Sequence, residues 1–177
     1  CGATGLIDYL DLGAQPPSNS FIVPEDVAGE QRFPLTVALC PGCGNSQLRD
    51  VVAAADIFED YLYLSSTSCA LVRHYQGLVE RALAMFEPAT DALAVDIGCN
   101  DGILLKGYPE GRVRTLGIEP SSAAGHARAA GFEVVEEFFD GALARRLADS
   151  HGRAAIVTAT NVFAHVDDIR SFARGIA

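Results

Sequence analysis

The spacing of apolar residues divides this chain into two parts of different character. From Ala92 onward, short apolar runs alternate with stretches of helical spacing. The apolar runs predict strands near residues 92–97, 113–118, 132–136 and 154–159. Helices are predicted near residues 102–107, 121–130, 141–149 and 167–175. Alternation of this kind predicts an α/β fold with a doubly wound parallel sheet.

The part before Ala92 follows another pattern. Residues 1 to about 48 show little helical periodicity and contain a turn-rich extended loop at 12–21. Two short apolar stretches, 33–39 and 47–52, resemble the arms of a hairpin. From about Ser68 to Met85 apolar residues recur at helical spacing, which predicts one long helix.

Composition and charge narrow the classes of molecule that the protein could bind. The chain has 177 residues, 49% of them hydrophobic, and a formal net charge of −10. A strongly acidic chain is poorly suited to nucleic acid or to an anionic membrane surface, so we expect neither as a partner. No apolar run reaches the roughly 18 residues of a membrane span, and no signal peptide opens the chain. We therefore expect a cytoplasmic protein.

The cysteines predict a metal site near the N-terminus. Five cysteines are an odd number, which disfavours a complete disulfide framework. Cys40 and Cys43 enclose a Pro-Gly turn in the form of a metal knuckle, and Cys1 followed by Gly2 resembles half of a second knuckle. We expect Cys1, Cys40 and Cys43 to bind one structural zinc ion with a thiolate from further upstream. A redox pair or free thiols remain as alternatives.

These features suggest three parts. Residues 1–52 are predicted to form a zinc-binding domain, residues 53–90 a linking segment with a helix, and residues 91–177 part of a cofactor-binding α/β domain. Because only four strands are visible, we expect the sequence to be cut at both ends.

The turn after the first predicted strand is the best candidate for a ligand site. The strand ends at Ile97 and is followed by a turn that contains Gly98 and Gly102. After this turn we expect a helix whose first N–H groups are free. Asp96 precedes this turn, and Glu119 follows the next strand 23 residues later, where an acidic side chain binds ribose hydroxyls. A carboxylate at the turn repels pyrophosphate but suits the cationic methionine end of S-adenosylmethionine. A nicotinamide dinucleotide site and a purely structural turn are the weaker alternatives.

Several motifs in one order resemble a known family. They are the Cys-Pro-Gly-Cys knuckle, a Leu-Gly-x-Gln-Pro loop, Tyr-Leu-Tyr-x-Ser-Ser, Asp-Ile-Gly-Cys-Asn-Asp-Gly and Thr-Asn-Val-Phe-Ala-His-Val. The chain resembles S-adenosylmethionine-dependent C-methyltransferases that act on nucleotide-linked keto-deoxysugars. This resemblance implies a zinc-binding domain, a Rossmann-like class I methyltransferase domain and a C-terminal substrate domain.

The resemblance also implies roles for individual residues. The cofactor would bind residues of the turn, of the next strand end and of later loops: Asp96, Gly98, Cys99, Asn100, Asp101, Gly102, Glu119, Pro120, Phe138, Phe139 and Asn161. For Glu119 the alternative is an exposed carboxylate at a strand end. For Phe138 and Phe139 the alternative is simple core packing.

Catalytic candidates lie outside the turn. His165 follows the fourth strand and could handle protons near neutral pH. In the family, a tyrosine corresponding to Tyr61 or Tyr63 reaches the active site, although both could instead form a hydrophobic seam. The resemblance implies methylation of a nucleotide-linked 4-keto-6-deoxysugar at C3 through an enolate. Methylation of oxygen or nitrogen in another small molecule, or a non-catalytic binding module, remain as alternatives.

Overall fold

The computed structural model describes residues 1–18, 20–58 and 63–177. It contains two compact units, Cys1–Asp60 and Tyr61–Ala177. The three-part division inferred from the sequence stays a prediction. Among the described helices, none has the length and apolarity that crossing a bilayer requires.

The first unit is built on a small antiparallel sheet. Its strands are β1 (Ile7–Gln15), β2 (Phe33–Leu39) and β3 (Ser46–Leu48), with β2 in the centre. A short helix, α1 (Ala54–Phe58), follows the sheet. The hairpin of β2 and β3 encloses the Cys-Pro-Gly-Cys turn, as the apolar stretches predicted. Ala38 and Cys40 are the buried hydrophobic residues described in this unit, so its apolar core is very small.

Strand β1 was not expected, because part of it lies in the segment predicted to be a loop. All nine of its residues are exposed. The strand therefore has no buried face that would require alternating apolar and polar residues in the sequence. It is held by main-chain pairing with β2, and the register shifts twice, between Asp8 and Leu10 and between Asp11 and Ala14. Backbone pairing, with side-chain contacts such as that of Tyr9 with Ser46 and of Asp8 with Arg49, therefore holds this strand without a buried face.

The second unit begins with the long helix predicted from the apolar spacing. Helix α2 (Cys69–Phe86) starts after Ser68, whose hydroxyl accepts a hydrogen bond from the Leu71 N–H at 3.4 Å. It ends at Glu87, which adopts a left-handed conformation with φ 42°. Tyr75 and Val79 are the buried residues of its inner face.

A four-stranded parallel sheet forms the centre of the second unit. The strands are β4 (Leu93–Ile97), β5 (Arg114–Ile118), β6 (Val134–Val135) and β7 (Ala154–Thr158), in the order β6-β5-β4-β7. Three helices follow β5, β6 and β7 in turn: α3 (Ala123–Ala129), α4 (Gly141–His151) and α5 (Ile169–Ile176). This arrangement confirms the predicted Rossmann-like α/β fold.

Strand β4 lies between two layers of core. Every one of its residues is buried, as expected for a central parallel strand covered on both faces. Ala94 packs in a cluster with Tyr75 and Val79, whereas Val95 packs in another cluster with Leu143 and Phe172. The chain moves from β4 to β5 and β6 on one side and returns to β7 on the other. Ligands of such sheets bind at this change of direction, at the carboxyl ends of the central strands.

The helix predicted at residues 102–107 is wrong. After the turn, the chain forms only a 3₁₀ segment, Leu105–Gly107. Asn100 and Gly102 both adopt left-handed conformations, with φ of 51° and 78°, and such residues cannot continue a right-handed helix. Pro109 follows two residues after this segment, so little chain remains in which a helix could form.

Candidate functional site

A buried carboxyl group lies at the predicted ligand edge of the sheet. Asp96 of β4 pairs in register with Thr158 of β7, and the Thr158 hydroxyl donates to Asp96 Oδ1 at 2.7 Å. Only 2% of Asp96 is exposed. This burial raises the pKa of Asp96 to about 7; the Thr158 hydrogen bond opposes the rise, and the charge of Glu119 adds to it. A cation placed beside Asp96 would therefore hold it ionised.

A second carboxylate lies next to the turn. Glu119 follows β5 and is 7% exposed. Its Oε2 accepts from the Asn100 N–H at 2.8 Å, and its Oε1 accepts from the Ser121 N–H at 2.9 Å. Because each carboxylate oxygen can accept about two hydrogen bonds, acceptor capacity remains for the hydroxyls of a ribose.

Four N–H groups of the turn are occupied by acceptors within the protein. The N–H groups of Gly98 and Cys99 donate to the Ile118 carbonyl at 2.7 and 3.1 Å. That of Asn100 donates to Glu119, and that of Gly102 donates to the Cys99 carbonyl at 2.9 Å. With these four donors occupied and two carboxylates beside it, the turn suits a cation better than a phosphate.

Protein side chains fill the space beside the glycines of the turn. A Cβ at Gly98 would lie 2.3 Å from Val162 Cγ2, and one at Gly102 would lie 3.0 Å from the Phe132 ring. Both glycines also have left-handed φ values, of 69° and 78°. Packing and backbone conformation within the protein therefore explain why both positions are glycine.

Cys99 is a core residue. Its sulfur occupies the space beside Gly117, where a Cβ would lie 2.5 Å away, and the residue is 1% exposed. Burial raises the pKa of the thiol well above its ordinary value, and the charges of Asp96 and Glu119 raise it further. A neutral buried thiol of this kind is inert.

The side chains of Asn100 and Asp101 bind a neighbouring part of the same unit. Asn100 Oδ1 accepts from the Ser65 N–H, and Asn100 Nδ2 donates to the Tyr63 carbonyl, both at 2.9 Å. Asp101 Oδ2 accepts from the Ser66 N–H at 3.1 Å. The sequence placed these side chains in the cofactor site and did not predict their contacts with the backbone of residues 63–66. Tyr61, the other catalytic tyrosine candidate, lies outside the described residues.

The two phenylalanines predicted to contact the cofactor, Phe138 and Phe139, lie in different environments. The Phe139 ring lies 5.1 Å from the Phe172 ring in an edge-to-face contact, so Phe139 belongs to the core. Phe138 is 43% exposed. Pro120 follows Glu119 and is half-buried. Of the two phenylalanines, Phe138 is therefore the more accessible to a ligand.

Asn161 and His165 lie on the loop that leaves the carboxyl end of β7. Asn161 is exposed and left-handed, with φ 56°. His165 ends a 3₁₀ turn, Phe163–His165, and its backbone N–H donates to the Val162 carbonyl at 2.9 Å. Both residues are thus at the edge of the sheet where α/β folds place ligands.

Two buried polar atoms lack a partner among the described residues. They are Asp101 Oδ1 and the Tyr108 hydroxyl. Burial raises the pKa of Tyr108 to about 12, with a further contribution from the charge of Asp96. Neither Tyr108 nor Thr158 was predicted as a site residue. Thr158 could have been found, because a polar residue that ends a strand beside β4 must lie next to Asp96 at this edge.

The first unit brings together the three predicted zinc ligands. The sulfur atoms of Cys1, Cys40 and Cys43 all lie within 4.8 Å of one another, and those of Cys1 and Cys40 are 3.7 Å apart. Two sulfurs on one tetrahedral zinc, with Zn–S of about 2.3 Å, are separated by about 3.8 Å. N–H groups of Cys43 and Gly42 lower the pKa of the Cys40 thiol, which favours the thiolate that zinc requires. The three thiols therefore fit a zinc ion.

Comparison with known proteins identifies the second unit. A family model described as "Methyltransferase domain" matches residues 71–177. The chain belongs to this methyltransferase family. A model described as "Putative zinc binding domain" matches residues 1–58. These matches confirm the expected pairing of a zinc-binding domain with a methyltransferase domain.

A curated relative points in the same direction. The chain is 29% identical over 179 residues to "C-methyltransferase NovU" of Streptomyces niveus, an alignment that covers 100% of this chain and 43% of that protein. The chain thus spans less than half the length of this relative. A methyltransferase domain implies S-adenosylmethionine as cofactor, and the acidic edge formed by Asp96 and Glu119 fits its cationic end and its ribose.

Proposed function

We propose that the protein transfers a methyl group from S-adenosylmethionine to carbon C3 of a nucleotide-linked 4-keto-6-deoxysugar. The observation that carries this proposal is the pair of buried carboxylates, Asp96 and Glu119, at the ligand edge of a methyltransferase domain. The name of the relative, which acts as a C-methyltransferase, supports carbon as the acceptor. The sugar and the C3 position rest on the motif resemblance.

The residues at this edge would hold the cofactor by charge and by hydrogen bonds. Asp96, positioned by Thr158, would accept hydrogen bonds from the ammonium group, and Glu119 would accept them from the ribose hydroxyls. The partly exposed Phe138 would cover one face of the adenine. When bound, S-adenosylmethionine supplies an electrophilic methyl group on a positively charged sulfur.

Carbon becomes a nucleophile only when a neighbouring group stabilises the electron pair of a broken C–H bond. In the proposed reaction a base removes the C3 proton, and the electron pair is delocalised onto the C4 keto oxygen as an enolate. The enolate carbon would then accept the methyl group, and the C–S electron pair would remain with the sulfur. We assign His165 to steady the enolate or to shuttle the proton, with Asn161 and Tyr63 beside the same site.

The zinc ion is proposed to be structural. Cys1, Cys40 and Cys43, with a fourth thiolate, would complete a closed tetrahedral site that leaves no position for substrate. Two described buried hydrophobic residues are few for a unit of this size, so the metal would supply much of its stability. From the acidic charge we also propose that the enzyme binds neither nucleic acid nor membrane. A cytoplasmic location is proposed as well.

Proton exchange at the substrate tests this proposal. The protein, in D₂O with S-adenosylhomocysteine in place of the methyl donor, should exchange the C3 proton of the keto-sugar, followed by NMR. His165→Asn should slow this exchange or the ensuing methyl transfer by at least about tenfold, the low end of general acid–base effects. His126→Asn, a change at an exposed histidine of α3, is the matched control. A product methylated on oxygen would contradict the proposal, and unchanged kinetics in His165→Asn would remove His165 from the site.

A further inference from the structure

The cofactor turn and the segment before α2 are joined by a short series of hydrogen bonds. We define the Asn-Asp clamp as Asn100 and Asp101 together with the three backbone groups that they bind, the Tyr63 carbonyl and the N–H groups of Ser65 and Ser66. An amide that both donates to and accepts from one backbone segment fixes its position in the manner of a neighbouring strand. These bonds use one acceptor site and one donor of the Asn100 amide.

The same asparagine also contacts the ribose-binding candidate. Its backbone N–H donates to Glu119 Oε2 at 2.8 Å, while its side chain binds the segment. Asn100 is 8% exposed and holds φ at 51°, a left-handed conformation that asparagine tolerates better than most residues. Glu119 and the segment are therefore connected through one buried residue with a specific backbone conformation.

The segment itself is short and tied at its other end. Ser65–Thr67 forms a 3₁₀ turn, and the next residue, Ser68, caps α2. The clamp thus holds a short segment that leads directly into a long helix. A change in the mobility of the turn should change the hydrogen exchange of the Ser65 and Ser66 N–H groups, because these groups donate directly to its side chains.

We propose that Asn100 and Asp101 are positioning residues that couple the binding of S-adenosylmethionine at Glu119 to the placement of the Tyr63–Ser66 segment. This inference rests on the proposed cofactor site. A ligand that fixes the Glu119 carboxylate also fixes its bond to the Asn100 N–H and so favours the clamped arrangement of the turn. By linkage, a formed clamp favours the ligand by the same factor.

Amide hydrogen exchange with and without S-adenosylhomocysteine measures this coupling directly. Binding of the ligand should slow exchange at the Ser65 and Ser66 N–H groups by about tenfold, which lies within the usual range of coupling between sites. In Asn100→Gly, which keeps the left-handed backbone and its N–H but lacks the amide, this protection should be lost, and by the same linkage the ligand should bind about tenfold more weakly. Asp101→Asn retains an acceptor for Ser66 and should keep the protection, whereas Asp101→Ala should lose it at Ser66.

The possible results separate this inference from the proposed function. If the ligand binds but leaves Ser65 and Ser66 exchange unchanged, or protects them equally in Asn100→Gly and Asp101→Ala, the coupling is refuted while the cofactor site stands. If the ligand does not bind the unaltered protein, the cofactor site is refuted and the coupling with it. Asp101→Ala carries the test should Asn100→Gly fail to fold, which circular dichroism would reveal.

Discussion

Replacing Asp96 by asparagine should stabilise the ligand-free protein above neutral pH. The carboxyl group is buried, and its charged form is disfavoured there because the hydrogen bond from the Thr158 hydroxyl does not fully compensate for the lost water. Asparagine has nearly the same shape and carries no charge. Its Oδ1 can still accept from Thr158, so the hydrogen bond is kept while the cost of burying a charge is removed.

The size of the effect follows from the shift in pKa. The value rises from 3.8 to about 7 on folding, and one pKa unit corresponds to about 1.36 kcal/mol. Below about pH 4 the group is protonated in both folded and unfolded chains, so the variant and the unaltered protein should be equally stable. As pH rises toward 7 the folded chain holds a proton that the unfolded chain has lost, and its stability falls. Above pH 7 the difference should reach about 4 kcal/mol.

Urea unfolding followed by circular dichroism, from about pH 4 to pH 8, measures this difference. Asp91→Asn, at an exposed carboxylate just before β4, is the control and should show no such dependence. Thr158→Val removes the hydrogen bond that lowers the pKa of Asp96, so the loss of stability should extend to higher pH. A difference between Asp96→Asn and the unaltered protein that stays constant with pH, or an Asp96→Asn variant less stable at pH 8, would refute the reasoning.

Three further predictions concern other parts of the chain. Chelation of zinc, or Cys43→Ser, should lower the metal content measured by mass spectrometry to below one ion per chain and unfold the first unit. Binding of S-adenosylhomocysteine should persist. Metal-free protein with an intact first unit would contradict this prediction. Gly98→Ala should cost about 2 kcal/mol in urea unfolding because its Cβ would meet Val162, and Val162→Ala should recover part of that loss; no recovery would assign the cost to the backbone alone. Asp140→Ala should cost about 1 kcal/mol, since its Oδ1 accepts from the N–H groups of Ala142 and Leu143 at the start of α4, and an unchanged unfolding midpoint would contradict that role.

The sequence predicts the second unit well because its elements have regular spacing. Strand β4 is an unbroken apolar run except for Asp96, and the departure from that run is itself the signal of the site. The zinc ligands were equally clear, because Cys40 and Cys43 have the spacing that a metal knuckle requires. Local patterns of this kind predict the structure well because the packing of the core and the binding of the metal both require them.

Other features depend on contacts between residues far apart in sequence. The pairing of Asn100 with Ser65 spans 35 residues and is set by the tertiary structure, so no local pattern reveals it. The helix expected after Gly102 fails because two left-handed residues precede it, which the sequence permits but does not require. Strand β1 pairs with β2 through the main chain, and the pattern of its exposed side chains does not indicate that pairing.

Binding of S-adenosylhomocysteine, measured by isothermal titration calorimetry, tests the central claim most directly. The protein should bind this ligand in preference to NADH, and Glu119→Ala should weaken binding by about tenfold or more through the loss of charged hydrogen-bond acceptors. Glu137→Ala, at an exposed glutamate paired with Arg146, is the matched control and should bind as the unaltered protein does. Binding of NADH without S-adenosylhomocysteine, or equal affinity in Glu119→Ala, would contradict the assignment of this edge of the sheet as the methyl-donor site.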